Sequence, residues 1–193
     1  LGVQIGEGVI VLEGLAQLLS KAAKLHGVVP QFAVINGEVY GQTALLAACA
    51  DFTFFMKEGV LAADSPLVLS AKSGKNLPKE EVGGAKALSK ANLVSFEADS
   101  MSDVRGDISK ILSLLPEYSE PVVENGADLN RVAPMLNEQF SADDLIQSVF
   151  DADSFLEIGK AFSPEVRCIL GRTGGIAVAA VVFHGAKGVS LKE

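Results

Sequence analysis

Residues 37–51, GEVYGQTALLAACAD, constrain this chain more than any other stretch. Gly37 and Gly41 can take backbone angles and close approaches that a Cβ forbids. From Ala44 to Ala50 there is no charge, so the pattern predicts a helix buried on every side. The start of a helix leaves its first amide N–H groups unpaired, at the positive end of the helix dipole. Residues 40–43 are therefore expected to aim bare donors into the turn, an arrangement that holds an oxyanion without a charged side chain.

Strand and helix signals alternate around this segment, which argues for an α/β layer architecture. Residues 7–26 predict a helix with Glu13, Gln17, Lys21 and Lys24 as one polar stripe, closed by Gly27. His26 suits the negative end of that helix dipole. Short strands are expected at 31–35, 52–56 and 59–63. A helix over 102–115 keeps Val104, Ile108, Ile111, Leu112 and Leu115 at helical spacing and stops at Pro116. Residues 117–127, rich in Pro, Gly and Glu, read as a linker. Beyond it, Ser141 with Asp144 forms a capping-box pattern for a helix over 142–150. Strands at 155–158, 166–171 and 176–183 complete the chain, the last two joined through TGG (173–175) as a hairpin.

The 193 residues carry a formal charge of −8. That balance argues against nucleic acid as a partner, since phosphate binding needs a basic face. The uncharged run over residues 40–50 falls short of the ~20 residues that a bilayer-spanning helix needs and lacks a signal peptide's basic leader, so the cytoplasm is the expected compartment. Opening on Leu1, the chain reads as part of something longer. Cys49 and Cys168 are expected as inert core thiols, and with His26 and His184 the only histidines no metal site is expected.

No side-chain nucleophile announces itself: Gly-x-Ser-x-Gly, His-Glu-x-x-His and Walker patterns are all missing from the sequence. Glu80–Glu81 and Asp143–Asp144 are neighbours that point apart on a helix and read as solvated first-turn acids. The chemistry is expected from the backbone. Besides residues 40–43, the glycines of GVQIGEG (2–8) place further amide donors ahead of the first helix. A basic loop, AKSGKNLPK (71–79), could meet the phosphates of a nucleotide-bearing ligand through Lys72 and Lys75.

In order, these segments resemble the carboxyltransferase subunit (beta chain) of biotin-dependent acyl-CoA carboxylases and decarboxylases. LGVQIGEG (1–8) is similar to the family's Gly-Gly-Ala-Arg-Ile-Gln-Glu-Gly, and HGVVPQ (26–31) to its Ser-Gly-Val-Ile-Pro-Gln. Gly37 to Phe52 keeps the spacing of Gly-Pro-Cys-Ala-Gly-Gly-Ala, seven residues, Asp-Phe. EEVGGA (80–85), ILSLLP (111–116), FLEI (155–158) and RTGGIAVAAV (172–181) follow as further family blocks.

The resemblance implies a crotonase-like fold of β-β-α spiral turns, present as part of a two-domain carboxyltransferase. Residues 1–116 would be the later part of the first domain and 128–193 the start of the second. It implies carboxyl transfer between carboxybiotin and a short acyl-CoA through an enolate, or the reverse in decarboxylases. Gly41 and Gln42, with Gly2 and Val3, would supply the oxyanion hole, while Tyr40, Thr43, Lys72 and Lys75 would face acyl-CoA. No cofactor would be covalently bound. Biotin would arrive on a carrier protein charged by a biotin carboxylase subunit, and the chain would form a homo-oligomer. Its departures fall at the site: Gln42 stands where the family has its second glycine, and Glu38, Val39 and Tyr40 replace Pro-Cys-Ala. A non-catalytic assembly subunit is the competing expectation.

Overall fold

A computed structural model describes residues 8–115, 141–163 and 165–183. They fall into two compact units, Leu1–Val104 and Arg105–Glu193. That division lies within one helix, whereas the 117–127 segment lies outside the described residues.

In the first unit, helix α1 (Val9–Leu25) is followed by strands β1 (Phe32–Ile35) and β2 (Glu38–Tyr40) and helix α2 (Gln42–Ala48). The sequence β-β-α then repeats with β3 (Phe52–Met56), β4 (Val60–Ala62) and α3 (Pro66–Ser73). Helices α4 (Lys79–Gly83) and α5 (Ala85–Ser89) and strand β5 (Phe96–Ala98) follow, and helix α6 (Met101–Leu114) carries the chain across the division into the second unit. Odd strands form one parallel sheet in the order β1-β3-β5, with Phe32 opposite Phe52 and Phe54 opposite Phe96. The even strands β2 and β4 pair separately, also parallel, with Tyr40 opposite Ala62. Each chain segment thus leaves one sheet for the other before its helix, which is a spiral turn.

The alternation of FTFFM explains why β3 is central. Phe52 and Phe54 lie on one face, stacked with Phe32 and Phe96 at ring-centroid separations of 5.5 and 4.9 Å. Phe55 lies on the other face with Ile35, Leu61, Val94 and Ala44. Phe54 and Phe55 are fully buried, each contributing roughly 2–3 kcal/mol of hydrophobic stabilisation. Thr53 is the buried polar exception; its hydroxyl donates to the Leu93 carbonyl at 2.6 Å.

Several expectations are corrected here. α2 is buried on one side only: Ala44, Ala47 and Ala48 pack on the core at helical spacing, while Leu45 is 55 % exposed and Cys49 caps the exposed end. Cys168 is exposed as well, so neither thiol is a core residue. None of the α1 residues is buried despite their apolar character. The expected basic loop is helical as far as Ser73, because Ser65 caps α3 through the Val68 amide and Pro66 opens it.

The second unit contains helix α7 (Ala142–Val149) and an antiparallel meander, β6 (Leu156–Ile158), β7 (Val166–Thr173) and β8 (Ile176–Phe183). The Ser141–Asp144 capping box forms as the pattern predicts. Arg167 grips Glu157 with two hydrogen bonds of 2.8 and 2.6 Å and Asp143 with a third of 2.6 Å, so Asp143 is paired rather than merely solvated. Those carboxylates hold the guanidinium charged well above its ordinary range. Among the described residues no helix is long and apolar enough to cross a membrane.

Candidate functional site

The turn between β2 and α2 is set by Gly41, whose φ of +68° and ψ of −140° suit glycine alone. Its N–H donates to the carbonyls of Ala62 and Ala63 at 3.1 and 3.0 Å, tying the turn to the end of β4. Its own carbonyl accepts from Ala44 and Leu45 at 3.0 and 3.2 Å, starting the helix. That accounting leaves the amides of Gln42 and Thr43, which have no partner among the described residues. Of the Gly41–Gln42 pair expected from the sequence, the Gly41 amide is thus bonded within the chain. Gly41 supplies the conformation, and its amide is already committed. Gln42 is exposed and Thr43 half-buried.

On the preceding strand, Glu38 and Tyr40 share a face. The Tyr40 hydroxyl donates to Glu38 Oε2 at 3.0 Å, and Lys79 Nζ, at the start of α4, donates to Glu38 Oε1 at 3.0 Å. Burial, followed by the hydrogen bond and charge of Glu38, pushes the Tyr40 phenol up to about 12. Lys79 and Tyr40 together hold the Glu38 carboxyl below its usual range, and Glu38 raises Lys79 in turn. Helix α4 is anchored by Gly83, where a Cβ would strike the backbone of Leu61 on β4. The sequence does not signal this network, because its Lys79–Glu38 contact joins residues 41 positions apart.

Other expected groups are placed as follows. Lys72 lies on α3 and pairs with Asp64 at 2.8 Å, next to Ala63, whose carbonyl holds Gly41. Lys75 is exposed just past Gly74, the left-handed residue that ends α3. No hydrogen bond or ion pair among the described residues brings it to the Gly41 turn. Gly2 and Val3 lie outside the described residues. His26 Nδ1 sits 3.3 Å from Asp51, whose other oxygen accepts the Gln31 amide, so Asp51, just before β3, ties the end of α1 to the residue that enters β1. A cleft of about 540 Å³ opens at the carboxyl ends of β3 and β5, lined by Met56, Val60, Lys79, Ala98 and Asp99 among others. It includes none of Tyr40 to Thr43. Cleft and bare amides are separate places.

The carboxyl transferase domain profile matches residues 1–187. The chain belongs to that family. It is 29% identical over 193 residues to the carboxyltransferase subunit of propionyl-CoA carboxylase from Haloferax mediterranei, covering 93% of this chain and 37% of the relative. It is 25% identical over 191 residues to the methylmalonyl-CoA carboxyltransferase 12S subunit of Propionibacterium freudenreichii, covering 93% and 36%. The structure matches transcarboxylase 12S, solved as a hexamer assembly with methylmalonyl-coenzyme A and methylmalonic acid bound, with a TM-score of 0.84 at 25% identity, over 95% of this chain and 38% of that one. The β-β-α turns are those of the crotonase-like carboxyltransferase fold. This carboxyl transferase domain chain spans little more than a third of the length of the relatives it matches.

Proposed function

We propose that the chain forms the acyl-CoA half-site of a carboxyltransferase, with the amides of Gln42 and Thr43 facing the thioester oxygen. The observation that carries this reading is the pair of unpaired amides at the start of α2, directly after a positive-φ glycine. They stand within the segment whose spacing follows the family. The Gly2–Val3 amides are the proposed complement, and residues 1–116 and 128–193 the proposed portions of two crotonase-like domains.

In this site the acyl α-carbon gives up a proton and its electron pair spreads onto the thioester oxygen. The two amides, oriented in advance, favour that developing charge over the neutral carbonyl. Overall the α-carbon exchanges its bond to hydrogen for a bond to the carboxyl carbon, the carboxyl's bond to its former carrier breaks, and the α-proton ends on the carrier atom so freed. Biotin, delivered on a carrier protein and charged by a biotin carboxylase subunit, is the proposed donor and would supply that carboxyl chemistry when bound. The Gln42 side chain is exposed beside the amides, so the departure from glycine changes the rim of the site without removing its donors. Lys72 and Thr43 are the proposed contacts to the rest of acyl-CoA, with Lys75 farther out; a homo-oligomer in the cytoplasm is the proposed setting.

The test removes one donor and nothing else. Gln42 is the first residue of α2, where proline fits a helix, so Gln42→Pro deletes the N–H while keeping the start of the helix. The full-length protein carrying Gln42→Pro should lose most of its carboxyl transfer from a malonyl-type CoA ester, with unchanged circular dichroism. Gln42→Ala, which keeps the N–H, should stay near the parent. Equal activity of Gln42→Pro and parent would rule out this amide as an oxyanion donor.

A further inference from the structure

Tyr40 is a large ring immediately before the Gly41 turn, where the family pattern has a small residue. Side chains two apart on a strand leave the backbone ~7 Å apart along it. For its hydroxyl to reach Glu38 Oε2 at 3.0 Å, the Tyr40 ring must lean back toward the beginning of β2. The Gly41–Thr43 turn lies past the other end of that strand. Glu38 is held in its turn by Lys79 at 3.0 Å, from a helix packed through Gly83 on the β4 backbone. The carboxylate thus has a fixed partner on each oxygen, and Glu80 and Glu58 are the further charges facing this cluster.

We propose that Glu38, fixed by Lys79, is a positioning residue that tethers Tyr40 back along β2 and keeps its ring clear of the Gln42 and Thr43 amides. The large residue at position 40 and the acid at position 38 are then a matched pair: the first would crowd the turn, and the second prevents it. Nothing in this arrangement requires Glu38 to touch substrate. The inference rests on the acyl-CoA reading of the turn and adds a device specific to this chain.

Epistasis separates this role from a merely structural one. Binding of propionyl-CoA to the full-length protein is measured by titration calorimetry for the parent, Glu38→Ala, Tyr40→Ala and the double variant. Freeing the ring in Glu38→Ala should weaken binding about five-fold, the scale of coupling between contacting side chains. In the Tyr40→Ala background the same change should matter less than about two-fold, because no ring remains to tether. Glu38→Gln, whose amide oxygen still accepts from the phenol, should recover most of the loss. An equal effect of Glu38→Ala in both backgrounds, or no effect in either, overturns the tether while leaving the amide site standing. A parent that binds no propionyl-CoA at millimolar concentration overturns the acyl-CoA reading itself and the tether with it.

Discussion

Among the described residues, the glycine turns that follow β2 and β7 treat their amides in opposite ways. At the hairpin of the second unit, Gly174 and Gly175 both have positive φ and both are buried. Their N–H groups donate to the two carboxylate oxygens of Asp151 at 3.0 and 2.8 Å, and Arg172 donates to the Gly175 carbonyl at 2.9 Å. At the Gly41 turn the glycine amide is likewise satisfied, by Ala62 and Ala63, but the next two amides have no partner among the described residues. One turn is closed by its own chain. The other has donors to spare, and unpaired donors beside a helix start are what a developing negative charge requires. Glycine content alone does not say whether a turn's amides are used within the chain; the accounting of N–H groups does.

The largest expected break in that contrast is Gln42→Pro. Loss of one oxyanion donor should lower kcat roughly 10²–10³-fold, about 2.7–4 kcal/mol of barrier, while unfolding by urea stays close to the parent. Asp151→Ala attacks the other turn and should do the reverse. Stripping the acceptor from two buried amides should cost about 2–3 kcal/mol of stability, read as a lower urea midpoint. An unchanged midpoint would show that water satisfies those amides equally well.

The smallest effect concerns the strand that feeds the Gly41 turn. The sequence contains only two tyrosines, so Tyr118→Phe leaves Tyr40 as the sole phenol. Its ultraviolet titration should come near 12, not near the ordinary 10. Because the folded value lies above the unfolded one, this phenol's contribution to stability is complete below pH 10 and is lost as pH rises toward about 12. Removing Glu38 in this background should bring the transition down. A midpoint near 10 in the Glu38-containing protein would mean the hydrogen bond does not hold in solution.

What could be read from the sequence followed from local chemistry. The Ser141–Asp144 cap, the FTFFM strand, the TGG hairpin and the helix over 102–115 are each specified by residues a few positions apart, and all are formed, with Pro116 itself outside the described residues. The spacing of residues 37–52 led to the turn. The rest depended on partners distant in the chain. β2 and β5 are three residues each and exist through pairing with β4 and β3, which no window of residues 38–40 or 96–98 reveals. The engagement of the Gly41 amide depends on the carbonyls of Ala62 and Ala63, 21 and 22 residues further on, which no local window reveals. The Lys79–Glu38 contact spans 41 residues and was invisible for the same reason. Leu45 and Cys49 looked like core because a run of apolar residues does not say which face of α2 meets the sheet.

The central claim is that Gln42 and Thr43 hold donors in reserve for an acyl-CoA oxygen, and the amides themselves can be observed directly. In the ¹H–¹⁵N spectrum of the full-length protein, saturating propionyl-CoA should move the Gln42 and Thr43 amide protons downfield, as formation of a new hydrogen bond requires, and leave Gly174 and Gly175 where they were. Shifts confined to residues lining the cleft at Met56, Val60 and Asp99, with Gln42 and Thr43 unmoved, would contradict the account.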